Sequence, residues 1–178
     1  MIADVVPVHP TIRQAIPDDA ECLAALATQV WLHTYATDGI STVMARYVLA
    51  QFGVAKFAAT LTQECSTVLV AAVNGHTVGY ALVNAELACP GGGPGVEVAT
   101  LYVQEHFTGQ GIGSALLREC QQAAQQRTGS CAIWLTVNAQ NLPAIAFYQK
   151  HGLAKTGTAY FDLGGEMHEN HVMVSAPA

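Results

Sequence analysis

The hydrophobic pattern along the chain changes period several times, and each change marks an element. Residues 11–16 read as a short first strand, ended by Pro17. Asp18 then stands at capping-box spacing from Glu21, and Leu23, Leu26 and Val30 recur at helical intervals, which predicts a helix running to about His33. Thr37, Asp38 and Gly39 break it. Ser41 stands where it would cap a second helix carrying Val43, Tyr47, Val48 and Phe52, and beyond Gly53 a third helical piece runs from 54 to about 64. Two β-branched runs, 67–73 and 76–84, flank Asn74-Gly75. A type I′ turn needs positive φ at both central residues, so this dipeptide predicts an antiparallel hairpin.

Residues 85–95 hold four glycines and two prolines and read as a mobile loop, either lying over a site or serving only as a connection. The next stretch, 96–103, is almost wholly apolar and β-branched, with Glu97 as its single charge. That fits a strand covered on both faces. From Ser114 the apolar residues Leu116, Leu117, Cys120, Ala123 and Ala124 return at three- and four-residue spacing, which predicts a helix with one buried face, ended by Thr128-Gly129. A second central strand follows over 131–137, then Asn138 and Asn141, a short helix over 144–150 ended by Gly152, and a strand over 153–162. Gly164-Gly165 begins a turn, and 171–175 returns as the last strand. The order is mixed α/β with hairpins rather than strict βαβ alternation.

Composition narrows the class. A length of 178 residues suggests one domain, 1–178, and with half its residues apolar and 11% charged the chain is core-rich, with enough uncharged surface to accommodate a homodimer. No apolar run approaches the ~18 residues of a membrane span, and the N-terminus has neither a basic region nor a long apolar core, so the expected location is cytoplasmic, with no membrane partner. The five cysteines are scattered, without a CxxC pair, which argues for buried free thiols and against a disulfide framework or a zinc site. His168 and His171 lie close together but lack companion ligands, so no metal is expected. The net charge of −6, with no cluster of Lys and Arg, excludes nucleic acid as a natural partner and would suit a cationic acceptor such as a polyamine or basic peptide.

Gly109, Gly111 and Gly113 stand at alternate positions between the strand 96–103 and the following helix. Glycine takes positive φ freely and lets backbone approach a ligand, and unpaired N–H groups at a helix start favour phosphate. A tight turn without a ligand would use the same residues. A dinucleotide fingerprint would need glycine where the chain has Ser114, and a nucleotide-hydrolase loop would need a Lys-Ser or Lys-Thr pair.

Taken together, LYVQEHFTGQGIGSALL and the downstream NAQNLPAIAFYQKHGL resemble the GNAT superfamily of acetyl-CoA-dependent N-acetyltransferases. The resemblance implies a central mixed, mostly antiparallel twisted sheet of about six to seven strands, flanked by helices on both faces. It also implies acetyl-CoA as co-substrate, bound by Leu101, Tyr102, Val103, Thr108, Gly109, Gln110, Gly111, Ile112, Gly113, Ser114, Asn138, Asn141 and Tyr148. In that superfamily the loop reads Gln or Arg, two residues, Gly, one residue, then Gly or Ala. Thr108 departs from the first position, which touches one side chain in a cradle built mainly of backbone amides. The first helices and their connection form one wall of the acceptor site in that superfamily, so His33, Tyr35 and Asp38 are candidates for acceptor contact, beside a plain role at the helix end.

Acetyl transfer to an amine requires removal of a proton from the amine and stabilisation of the leaving thiolate. Tyr148 follows Phe147 at the position where the superfamily often carries its general acid; a core tyrosine is the alternative. A glutamate on the central strand often serves there as base, which points to Glu97, with an ion pair as its bland counterpart. Asn138 and Asn141 match positions near pantetheine and could equally cap a helix. The local detail is nearest the polyamine- and small-amine-acetylating branch. The function expected is direct transfer of acetyl in a ternary complex to a primary amine of a small molecule or peptide N-terminus. A regulatory module that binds acyl-CoA without turnover is the alternative, and it would have no use for Tyr148 and Glu97.

Overall fold

The computed structural model describes residues 10–92 and 95–176, so the readings made of the N-terminal stretch and of Gly93 and Pro94 lie outside the described residues. Twelve regular elements follow in order: β1 (Thr11–Gln14), α1 (Ala20–Tyr35), α2 (Thr42–Gln51), α3 (Val54–Leu61), β2 (Ser66–Val73), β3 (His76–Asn84), β4 (Val96–Val103), α4 (Ile112–Thr128), β5 (Ile133–Asn138), α5 (Leu142–Lys150), β6 (Leu153–Leu163) and β7 (Glu166–Ser175). The strands form one sheet in the order β1-β2-β3-β4-β5-β7-β6. Every neighbouring pair is antiparallel except β4 and β5, which run parallel.

The period-two alternation of the strands divides the core between two faces. Leu69, Ala71, Ala81, Val83, Val96, Val98, Ile133, Leu135 and Met173 meet Leu116, Leu117 and Cys120 of α4 on one side. Val68, Val70 and Tyr80 meet Leu23, Leu26 and Ala27 of α1 and Phe57 of α3 on the other. Leu23 and Leu116 are wholly buried, each worth roughly 1.5–3 kcal/mol of transfer from water. Helices therefore flank the sheet on both faces, as the resemblance implies. The Asn74-Gly75 turn also forms as read, with φ of 52° and 81°.

Several boundaries move, each for a local reason. Asp19, not Asp18, organises the start of α1: its carboxylate takes both nitrogens of Arg13, at 2.6 and 2.8 Å, and the Ile16 N–H at 2.8 Å, closing a 3-10 turn over Pro17–Asp19. Ser41 caps α2 as read, accepting from the Met44 N–H at 3.2 Å. The helix read from Ser114 begins at Ile112 with Gly111 as its cap, and the one read from 144 begins at Leu142. The last strand begins at Glu166 rather than 171, because β6 and β7 form one long hairpin from Leu163↔Glu166 down to Leu153↔Ser175. Strand β4 is not covered on both faces: Val96 and Val98 are buried, Ala99 is exposed and the rest is half-buried. Of the cysteines, only Cys89 and Cys120 are buried, and Cys22 is exposed. Cys89 packs with Trp134, Val172 and Val174, so the segment after β3 is anchored on β5 and β7.

Candidate active site

The sheet opens at its centre. Strand β4 pairs with β3 over most of its length, but with β5 only through Val96↔Ile133 and Glu97↔Trp134. Beyond Glu97 the two parallel strands have no common register. On the β3 side the pairing jumps from Val83↔Val98 to Leu82↔Thr100, leaving Ala99 as an extra residue. Such a bulge bends and twists its strand, which turns β4 away where the split begins. The β5-facing edge of Leu101, Tyr102 and Val103 is thus backbone without a strand partner.

The loop after β4 ends at the mouth of this split. Its side chains brace themselves: the Thr108 hydroxyl donates to Glu105 O at 2.8 Å, and Gln110 Nε2 donates to His106 O at 2.8 Å. Thr108 therefore turns its hydroxyl into the loop. Gly109 and Gly111 hold φ of 75° and 82°, in the left-handed region that a side chain resists, and a Cβ at either would meet open space. Among the described residues the N–H groups from Gly109 to Ser114 donate to no backbone carbonyl outside the helix, and the first turn of α4 offers none within it. Gly113 answers a different need: a Cβ there would press on the Phe147 ring at 3.3 Å, so its absence lets α4 and α5 close together. Ser114 likewise turns its side chain into the protein. His151 Nδ1 donates to Phe147 O and its Nε2 shares a hydrogen bond with Ser114 Oγ, both at 2.8 Å. Unpaired amides at a helix N-terminus beside an open strand edge fit a phosphorylated ligand with an extended, amide-bearing arm.

Tyr148, on α5, is buried. Burial pushes its hydroxyl well up from the ordinary phenol value, with Cys120 and Tyr35 adding to the push, so the group stays protonated at neutral pH. Tyr148 packs in the core cluster with Leu116, Leu117 and Cys120 of α4, its ring beside that of Phe147 at 5.3 Å. Tyr35 is half-buried; burial raises its hydroxyl while the Asn141 side chain partly offsets the rise. Asn141 also caps α5, accepting from Ala144 N–H at 3.2 Å, while Asn138 Oδ1 accepts from Gln140 N–H at 2.8 Å.

Glu97 points to the face that carries Tyr80 and Tyr102, opposite Val96 and Val98, and accepts from Asn84 Nδ2 at 3.1 Å. His33 pairs with Glu105 at 3.1 Å and so ties the end of α1 to the loop after β4; both are exposed. Asp38 lies exposed in the α1–α2 connection, and neither His33 nor Asp38 lines the pocket under α2 and α3. The residues that sequence reasoning passed over are Trp31, Tyr47, Phe57 and Tyr80, which complete an aromatic wall with the candidates Tyr35 and Tyr102. Trp31 packs on Tyr35 and Tyr47 at 5.1 Å, and Tyr80 meets Phe57 edge-on at 5.8 Å and Tyr102 at 5.6 Å. The alternation of β3 and β4 placed Tyr80 and Tyr102 on one face, but nothing local placed Trp31 and Tyr47 opposite them. Among the described residues, no group of three or more His, Cys, Asp or Glu side chains could hold a metal ion, and no helix is long and apolar enough to cross a membrane.

The sequence profile of the Acetyltransferase (GNAT) family matches residues 27–153, which takes in α1 through the start of β6 and both halves of the split. The chain belongs to that family, and with it to the acetyl-CoA-dependent acyltransferases. It is 32% identical over 156 residues to an uncharacterised N-acetyltransferase of Mycobacterium tuberculosis (strain H37Rv), covering 88% of this chain and 96% of that protein, and equally to one of Mycobacterium bovis. Among solved structures, it is similar to the PaiA N-acetyltransferase of Thermoplasma acidophilum in complex with coenzyme A, with a TM-score of 0.77, 20% identity and coverage of 94% of this chain and 98% of that one. A GCN5-related N-acetyltransferase of Rhodopseudomonas palustris gives a TM-score of 0.75, with 24% identity and coverage of 98% and 99%.

Proposed function

We propose that this protein transfers the acetyl group of acetyl-CoA to a primary amine of a small molecule, by direct attack within a ternary complex. The observation that carries the reading is the split between β4 and β5, with unpaired amides at the helix start beside it; a buried tyrosine that stays protonated, Tyr148 on α5, supports it. In this reading the amides of Gly109, Gln110, Gly111, Ile112, Gly113 and Ser114 hold the pyrophosphate, and the free edge of Leu101, Tyr102 and Val103 holds the pantetheine arm. Asn138 and Asn141 close the opposite side. Bound acetyl-CoA supplies an activated thioester. Tyr148 gives its phenolic proton to the departing sulfur: the hydroxyl is protonated near neutral pH, and its upward shift by burial makes the transfer depend on stabilisation of the tyrosinate or on developing charge at sulfur. Glu97, on the acceptor face, takes the amine proton through an ordered water, held in place by Asn84. The likeness to the Thermoplasma protein, whose structure contains coenzyme A, and to the YncA acetyltransferase of Salmonella typhimurium, whose structure contains acetyl-CoA, supports the choice of co-substrate. The test is release of CoA thiol on mixing the protein with acetyl-CoA and a panel of polyamines, amino acids, aminoglycosides and N-terminal peptides. A panel without any release above hydrolysis would overturn it.

A further inference from the structure

On the face that carries α1 and α3, a pocket of about 190 Å³ reaches β4 at the bulge. It is lined by the rings of Tyr47, Phe52, Phe57 and Tyr80 and by Thr100 of β4, and Lys56 stands exposed at its rim. This is smaller than the roughly 300–1,000 Å³ of sites for drug-sized ligands, so it suits a compact group such as one ring or branched chain. Lys56 is the one charged residue among those that line it, and no carboxylate does. The partner of Lys56 Nζ is the neutral Gln51 Oε1, which orients the ammonium without cancelling its charge. A polyamine would bring several positive charges to a rim that already carries one and offers no acid to receive them.

We infer that the acceptor is a small zwitterionic amine: a primary amine joined to an oxyanion such as a carboxylate or phosphonate, and to an apolar or aromatic group that fills the pocket. Lys56 receives the oxyanion, the rings receive the apolar group, and the amine, on the carbon that bears both, faces β4 at Thr100. The inference rests on the acetyl-transfer reading and adds the acceptor's class to it. Aromatic walls attract cations as well as apolar groups, but an ammonium there would lie beside Lys56, whereas an oxyanion gains a charge-assisted hydrogen bond.

The experiment compares matched acceptors on the intact protein at saturating acetyl-CoA: aromatic and branched amino acids, the corresponding aminophosphonates, their amides, their decarboxylated amines, and spermidine. The oxyanion-bearing members should exceed their amides about tenfold or more in kcat/KM, equivalent to about 1.4 kcal/mol. Lys56→Met should raise KM for them about tenfold with kcat held within a few-fold, and leave the amides unchanged. Lys56→Glu should reverse the order between the carboxylates and spermidine. Spermidine or the decarboxylated amines outpacing the amino acids would overturn the inference while leaving acetyl transfer intact, as would a KM indifferent to Lys56→Met. Acetyl-CoA binding, read as a rise in Tm, without turnover of any oxyanion-bearing member would overturn it as well. Absence of that rise would instead strike the acetyl-transfer reading on which it rests.

Discussion

At the scale of single residues, Tyr148 and Gly111 separate catalysis from binding. Tyr148→Phe keeps the ring that α5 packs with and removes only the hydroxyl, so turnover at saturating acetyl-CoA should fall roughly 10²-fold or more while KM for acetyl-CoA moves little. Turnover within a few-fold of the parent would return Tyr148 to a packing role. Gly111→Val asks a β-branched residue to hold a φ of 82° at the head of α4. The variant should keep its circular dichroism spectrum and lose the rise in Tm that CoA confers, which in the parent reports a stabilisation of roughly 2.7 kcal/mol at 100 times Kd. An unchanged ligand-induced rise would move the pyrophosphate elsewhere. Glycine spacing made this loop legible in the sequence, and Tyr148 was singled out only by its place in the resembling motif. What stayed hidden was which side chains the loop consumes: Thr108, Gln110 and Ser114 all bond inward, through contacts with Glu105, His106 and His151 that no local spacing encodes.

At the scale of elements, hydrophobic periodicity located every helix and strand, and errors gathered at ends, where one hydrogen bond decides the boundary. The start of α1 is the clearest case, because Asp18 and Asp19 are chemically alike and only the approach of Arg13 across the strand end selects Asp19. The Arg13 side-chain bond, offset by burial and helped by the Ile16 N–H, holds the Asp19 carboxyl below the usual carboxylate range. A carboxylate with a folded pKa below its unfolded value stabilises the fold above that unfolded value, about 3.9, and loses the contribution as pH falls through the folded pKa. Asp19→Asn should therefore lower Tm at pH 7 by roughly 2–4 °C, the effect of about 1 kcal/mol in a chain of this size, with exposure of Arg13 screening the pair. Thermal scans from pH 7 to pH 2 should show the gap between parent and variant closing below about pH 4. A gap independent of pH would mean that Asp19 acts through packing alone. Helix α2 shows the other limit of sequence reading. It is held over the pocket by the far hairpin, through Tyr47 against Phe161 at 5.4 Å and Val43 against Gly164, a pairing of residues more than a hundred positions apart.

At the scale of the whole molecule, the sheet is two fields, β1 to β4 and β5-β7-β6, joined in register through only Val96↔Ile133 and Glu97↔Trp134. Mixed order was legible because it follows from element sequence, and helices on both faces were implied by the resemblance. The split was not, because a bulge at Ala99 is a matter of pairing rather than pattern. Its consequence concerns time rather than shape. On the proposed reading, CoA held along this seam leaves only after its bonds to the free edge part, whereas the acetylated acceptor leaves from the other face. Departure of CoA is then expected to be the slow step, as in enzymes where opening outlasts chemistry. Rapid mixing of the acetyl-CoA-loaded protein with its acceptor should give a burst of acetylated product close to one per active site, followed by a slower steady rate that free CoA suppresses. A linear onset would show that the seam parts faster than acetyl moves.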